Sequence, residues 1–337
     1  MAAPPAGAPG PTARLSDAFG RRFEYVRLSV TDACNFQCVY CLPRGFRATP
    51  GAAPPLEATE IERLLTALSS LGVFKVRLTG GEPTVRGDIV DLVARAARTP
   101  GVRRVALSTN GYRLDTLAGP LADAGLSQLN VSVDHLDPVG FGAITGKALL
   151  HRVLGGIETG LARGLTVKVN VVRLGGLNDA AVDAFFDWVR TTPVTVRFIE
   201  LMETADSRAF FARHHRPLDG LRARLAADGW VTRPRAAGDG PADEYTHPAA
   251  AGRIGLIAPY APGFCEGCNR LRVTARGALK LCLFGRGEHD LRPLLDGSHP
   301  PEAIARAVLR AVTLKPAAHR LHAADAGDTS HLAALGG

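Results

Sequence analysis

From about Arg21 to Glu200 the chain alternates short β-rich apolar runs with longer stretches whose apolar residues recur at helical spacing. Six short runs predict strands over 25–30, 74–79, 104–109, 129–134, 167–172 and 194–200. The clearest helices fall between them, over 59–71, 88–97, 149–163 and 179–189. Strands and helices in strict alternation predict a parallel sheet. Six such units are too few for the usual closed eight-stranded barrel. The expected fold is therefore α/β, an open partial (β/α)6 TIM-like barrel.

The strands carry a second pattern. A parallel strand covered on both faces reads as a continuous apolar run, yet here alternate positions are polar. Arg27, Ser29 and Thr31 interleave with Val26, Leu28 and Val30, and Lys75, Arg77 and Thr79 with Val76 and Leu78. Strand four offers Asn130, Ser132 and Asp134, and strand five Lys168 and Asn170. With the apolar set packed on helices, the polar set faces a wet, cationic barrel interior. An antiparallel sheet with one solvated face would alternate in the same way, but the intervening helices argue against it.

Beyond about Ala205 the pattern changes to a helix over 218–227 and short strands over 230–233, 253–257, 270–275 and 278–283. The last two read as a hairpin turned at Arg276 and Gly277, and a helix follows over 301–312. This is expected to be a smaller C-terminal α+β domain closing the barrel mouth. The organisation expected is a disordered extension (1–19), the barrel (20–205), the C-terminal domain (206–325) and a tail (326–337).

Composition narrows the class. With 46% hydrophobic residues in 337, a large core is available. No apolar run approaches the ~18 residues of a membrane span, and the N-terminus lacks a signal-peptide pattern. No membrane association and a cytoplasmic location are expected. The net charge of +8 raises the question of nucleic acid, but Arg is scattered, and Lys is confined to Lys75, Lys147, Lys168, Lys280 and Lys315. Without a dense basic run, no nucleic-acid partner is expected. A cluster-bearing nucleic-acid binder would instead show salt-sensitive RNA affinity.

The six cysteines form two trios, Cys34, Cys38, Cys41 and Cys265, Cys268, Cys282. Clustered thiols without a secretory signal point to metal rather than disulfides. Three thiolates satisfy three irons of a four-iron cubane and leave the fourth open. An open iron can chelate the amino and carboxylate groups of a methionine moiety. Structural zinc would want four ligands, usually in two close pairs. The first trio, in CNFQCVYC directly after strand one, resembles the motif of the radical S-adenosylmethionine superfamily. That resemblance implies that Tyr40 lies beside the adenine, that Gly80, Gly81 and Glu82 hold the methionyl group, and that Ser132 contacts the same ligand.

The second trio is flanked by Arg270, Leu271 and Arg272. Together with Arg27, Lys75, Arg77, Lys168 and Arg197, these cations suit a nucleoside triphosphate, since Arg recognises phosphate bidentately. At an effective dielectric of ~20 each close pair is worth roughly 4 kcal/mol before desolvation. Over about residues 20 to 337 the chain resembles the molybdenum cofactor biosynthesis protein A family, the GTP 3′,8-cyclases, in segments including KVRLTGGEPTVR, RFIELM, FCEGCNRLRVTARG and the terminal Gly336 and Gly337.

The resemblance implies two 4Fe-4S clusters, S-adenosylmethionine as cofactor and GTP as substrate. The open iron of the second cluster would bind guanine. A 5′-deoxyadenosyl radical would take the ribose 3′ hydrogen, and the 3′ carbon would attack carbon 8, a lyase-class step giving 3′,8-cyclo-7,8-dihydro-GTP. S-adenosylmethionine would be held by Tyr40, Gly80, Gly81, Glu82, Ser132 and Met202. GTP would be held by Arg27, Lys75, Arg77, Ser108, Lys168, Arg197, Arg270, Leu271 and Arg272. The resemblance also implies catalytic roles for Arg27, Gly336 and Gly337. Expected partners are cyclic pyranopterin monophosphate synthase downstream, a flavodoxin- or ferredoxin-like reductant and a second copy in a homodimer. Another radical S-adenosylmethionine enzyme with an auxiliary cluster, acting on a peptide, is the alternative; such enzymes usually carry more C-terminal cysteines. The family usually has Thr at the position of Ser108, and residues 331–335 depart from its usual tail.

Overall fold

Six strands lie side by side in chain order: β1 (Tyr25–Ser29), β2 (Lys75–Thr79), β3 (Arg104–Thr109), β4 (Gln128–Ser132), β5 (Thr166–Arg173) and β6 (Thr195–Glu200). All neighbouring pairs are parallel. The structure is a computed structural model and describes residues 14–335. The connecting helices are α1 (Ala58–Ser70), α2 (Ile89–Arg98), α3 (Leu114–Asp123), α4 (Pro138–Thr145), α5 (Leu150–Ala162) and α6 (Val182–Thr191). Helices α7 (Arg208–His214), α8 (Asp219–Ala227) and α9 (Pro301–Val312) follow β6. No helix among the described residues is long and apolar enough to cross a membrane.

The remaining strands are β7 (Val231–Thr232), β8 (Asp243–Thr246), β9 (Arg253–Ile257), β10 (Arg270–Val273), β11 (Ala278–Lys280) and β12 (His289–Asp290). They do not build a sheet of their own. β10 pairs parallel to the free edge of β1, and β9 parallel to the free edge of β6. The sheet order is β12-β11-β10-β1-β2-β3-β4-β5-β6-β9-β8-β7. The sheet is open, and its parallel row is longer than the six strands expected. Parallel edges present unpaired N–H and C=O groups, and the C-terminal strands cover both. The hairpin expected at Arg276 and Gly277 joins β10 to β11, with Gly277 at φ +89°.

The N-terminal boundary is corrected. Residues 1–13 of the expected extension lie outside the described residues, but 14–19 belong to the fold. Leu15 is buried in the main core, and Asp17 forms a buried 2.6 Å ion pair with Arg21. A single Leu buried against the helices contributes about 1.5–3 kcal/mol, enough to fasten so short a segment.

One face of the sheet packs on helices. Val26, Leu28, Val76, Leu78, Leu107, Leu129, Val169 and Phe198 are buried against α1, α2 and their neighbours in one core. The opposite parity carries Arg27, Lys75, Arg77, Asn130 and Arg197 into the interior, where they too are buried. In register, Arg272, Arg27 and Arg77 stand abreast on β10, β1 and β2, as do Arg270, Tyr25 and Lys75 in the adjoining row. Like charges directly opposite one another destabilise a sheet, so the arrangement implies an anion.

Candidate active site

The first trio lines a concavity of about 910 Å³ at the C-terminal ends of the strands, together with Tyr40, Gly80, Gly81, Ser108, Ser132 and Met202. This is the expected end for a site on parallel strands. The second trio lines a concavity of about 680 Å³ with Arg27, Arg270, Arg272, Lys315 and His319. Ile199 and Met202 line both, so the two cysteine sites share a wall.

The glycines of the β2 turn have a local cause. Gly80 has φ +152°, and a Cβ there would lie 2.3 Å from the Thr31 carbonyl oxygen. A Cβ at Gly81 would lie 2.4 Å from the Ala33 carbonyl oxygen. The two glycines let this turn close onto the backbone that leads into Cys34. Glu82, expected with them at the methionyl group, is wholly buried. Its carboxylate accepts from the Thr84 amide (3.0 Å), the Thr109 hydroxyl (2.7 Å) and the Asn110 amide (2.6 Å), tying the ends of β2 and β3 together.

Asp134, read in the sequence only as an inward polar residue, anchors this site. It accepts 2.8 Å hydrogen bonds from the Tyr40 hydroxyl and the Val172 amide. Burial raises its pKa to about 6. Burial also pushes Cys41 up to about 12, against backbone donors at Ala333 and Leu332. The C-terminal segment thus reaches the first trio. Gly336 and Gly337 lie outside the described residues.

The second trio has the opposite electrostatics. Burial would raise Cys268, but Arg270, Lys315 and Arg272 pull it down to about 6. Buried Lys315, unassigned in the sequence, donates to the Leu281 carbonyl. Arg21 donates to the carbonyls of Cys265 (3.2 Å), Ala317 (2.6 Å) and Pro316 (2.6 Å), clamping the cluster loop to the segment after α9.

Both trios fit iron–sulfur clusters by their donor chemistry. The charges within each trio are mutually coupled, so the thiols converge. Among the described residues, no three His, Cys, Asp or Glu groups close tightly enough around one metal ion; a cubane spreads its thiolates over separate irons. Cys34, Cys38 and Cys41 would hold one cluster, and Cys265, Cys268 and Cys282 the other.

The cation set divides. Lys168 is ion-paired with Glu244 of β8. Arg197 donates to Asn130 (2.8 Å) and Asn170 (2.7 Å), and Lys75 to the Gly238 carbonyl (3.0 Å). The Nε atoms of Arg77, Arg197, Arg270 and Arg272 are buried without a hydrogen-bond partner. Burial, then mutual repulsion, lowers Arg272 to about 9. Ser108 lines the first concavity rather than the second. Leu271, expected with Arg270 and Arg272 at the substrate, has its side chain turned by strand alternation into the helix-packed core, 1% exposed.

Two family patterns divide the chain: "Radical SAM superfamily" matches residues 28–189 and "Molybdenum Cofactor Synthesis C" matches 194–321. The GTP 3′,8-cyclase of Aeromonas hydrophila is 48% identical over 328 residues, covering 96% of each chain. That of Stenotrophomonas maltophilia is 48% identical over 325, covering 96% of this chain and 99% of its own. That of Synechococcus elongatus is 46% identical over 324, with the same coverage. In structure, Streptococcus suis SuiB bound to S-adenosylmethionine aligns with a TM-score of 0.60 at 14% identity, covering 84% of this chain and 68% of that one, a likeness of fold. Two cysteine trios across one cationic interior, matched along nearly the whole length, place this chain in the GTP 3′,8-cyclase family of the radical S-adenosylmethionine superfamily.

Proposed function

We propose that the protein is a radical S-adenosylmethionine enzyme that converts GTP to 3′,8-cyclo-7,8-dihydro-GTP, the first step of molybdenum cofactor biosynthesis. The carrying observation is the set of buried, mutually repelling guanidiniums, Arg77, Arg197, Arg270 and Arg272, whose Nε atoms also have no partner. A buried cation without a counter-charge costs several kcal/mol, and a triphosphate supplies the missing negative charge. A peptide substrate offers no comparable anion.

Cys34, Cys38 and Cys41 would hold a four-iron cluster, which when bound would supply the electron that cleaves the sulfonium of S-adenosylmethionine. The chain's own part is placement. Tyr40, held by Asp134, presents its ring to the adenine side, and Ser132 and the Gly80–Gly81 backbone line the methionyl side. The rows Arg272–Arg27–Arg77 and Arg270–Lys75 grip the polyphosphate. Ile257, Leu283 and Phe284 wall the second concavity with apolar surface and shield reactive intermediates from water. Met202 and Ile199 line both concavities, where the two ligands would meet. The reading extends to a cytoplasmic enzyme that takes electrons from a flavodoxin- or ferredoxin-like donor and hands its product to cyclic pyranopterin monophosphate synthase; family resemblance supports both.

The test is anaerobic reconstitution, with GTP binding and 5′-deoxyadenosine release measured together. GTP-dependent release with consumption of GTP is expected. Release that ignores GTP, or protein that does not bind it, refutes the reading.

A further inference from the structure

The phenol of Tyr25 stands in the interior with no role in the chemistry above. Tyr25 is the first residue of β1 and shares the inward parity of Arg27 and Ser29. It is 0% exposed. In register it stands between Arg270 of β10 and Lys75 of β2. The Lys75 ammonium lies 5.1 Å from its ring centroid and the Arg77 guanidinium 5.3 Å. The charged groups facing it are Arg27 from its own strand, Lys75 and Arg77 from β2, Arg197 from β6 and Arg270 from β10. Among the described residues, Lys75, Arg77, Arg197 and Arg270 form no ion pair with a carboxylate. Glu244, the carboxylate that acts on Arg197, is taken by Lys168 and Arg233.

A wholly buried phenol facing Lys75, Arg77, Arg197 and Arg270, which no carboxylate neutralises among the described residues, is placed to supply the negative charge they lack. We propose that Tyr25 is the resident counter-ion of the triphosphate site: its phenolate balances the cations in the free protein and takes a proton from solvent when a triphosphate replaces it. The inference rests on the proposed function's reading of this interior as a triphosphate site. No covalent bond changes; one O–H bond forms at Tyr25 for each triphosphate bound. The electrostatics agree, because burial alone would raise the phenol, yet Arg77, Arg27 and Lys75 bring it down to about 7. Above that pH the free protein carries the phenolate, and the bound protein carries the phenol.

Proton uptake is measured by titrating GTP into the anaerobically reconstituted full-length protein near pH 8, in buffers of different ionisation enthalpy. Wild-type protein is expected to take up about one proton more per GTP than Tyr25→Phe, which keeps the ring and loses the hydroxyl. S-adenosylmethionine affinity checks that the variant is folded. Lys75, lowered by burial to about 8, is the competing source of uptake. Lys75→Arg stays charged, so uptake that persists in it belongs to Tyr25, and this variant decides the matter should Tyr25→Phe not fold. Equal uptake in wild type and Tyr25→Phe, or its loss in Lys75→Arg, overturns the inference while leaving the GTP reading intact. Failure to bind GTP at all overturns both.

Discussion

The Tyr40 hydroxyl donates a 2.8 Å hydrogen bond to Asp134, which also accepts from the Val172 amide. A residue from the cysteine loop is thereby fastened to the ends of β4 and β5. The pair fixes the ring on which an adenine is expected to lie, and burial raises the Asp134 pKa to about 6.

This shift gives a pH prediction. A carboxyl whose folded pKa lies above its unfolded value contributes stability below the unfolded pKa, and loses it as pH rises through the folded one. For Asp134 the window runs from about 3.8 to about 6. In urea melts the stability of wild type relative to Asp134→Asn is expected to fall across that window and to level off above it. A difference that does not vary with pH contradicts the assignment. Asp134→Ala, which strands the Tyr40 hydroxyl and the Val172 amide, is expected to cost about 1–3 kcal/mol.

Arg77→Met separates function from stability. Five cations outnumber the one Tyr25 phenolate, so removing Arg77, which Arg27, Arg197 and Arg270 repel, is expected to stabilise the substrate-free protein by about 1 kcal/mol or more. The same change is expected to weaken GTP binding by roughly a hundredfold. Melts and equilibrium binding on one preparation check the opposite signs. Loss of both stability and affinity would show that Arg77 has a structural partner.

The cysteine trios are expected to load independently. Cys34→Ala and Cys265→Ala should each lower iron from about eight to about four per chain after anaerobic reconstitution. Only Cys265→Ala should retain the spectroscopic change on S-adenosylmethionine addition. Zinc bound in place of iron at either trio refutes the two-cluster reading.

Gly81→Ala tests the turn. Its methyl group would collide with two backbone carbonyl oxygens, at 2.4 and 2.5 Å, and neither can move without shifting the loop that bears Cys34. A loss of about 2 kcal/mol or more is expected, with poor loading of the first trio. Gly87→Ala, whose added methyl group meets nothing within 4 Å, is the control and should load normally.

Much of this was legible in the residues. A period of two assigns opposite faces to successive side chains, so the polar alternation in β1 and β2 already put Arg27, Lys75 and Arg77 in the interior. Spacing of three and then two around Cys34, Cys38 and Cys41 named the first metal site because a loop that short holds its thiols together. What no local pattern carried were relationships between distant segments. The docking of β10 on β1 and of β9 on β6 has no signature in either strand, since parallel partners far apart in sequence meet only when the sheet assembles. The same holds for the neutralisation of Lys168 by Glu244, the withdrawal of Glu82 into the β2–β3 junction and the enclosure of Tyr25 by cations from four strands. Residue type and spacing fix which face and which chemistry. Charge balance and hydrogen-bond partners depend on distances through space, and those exist only in the folded chain.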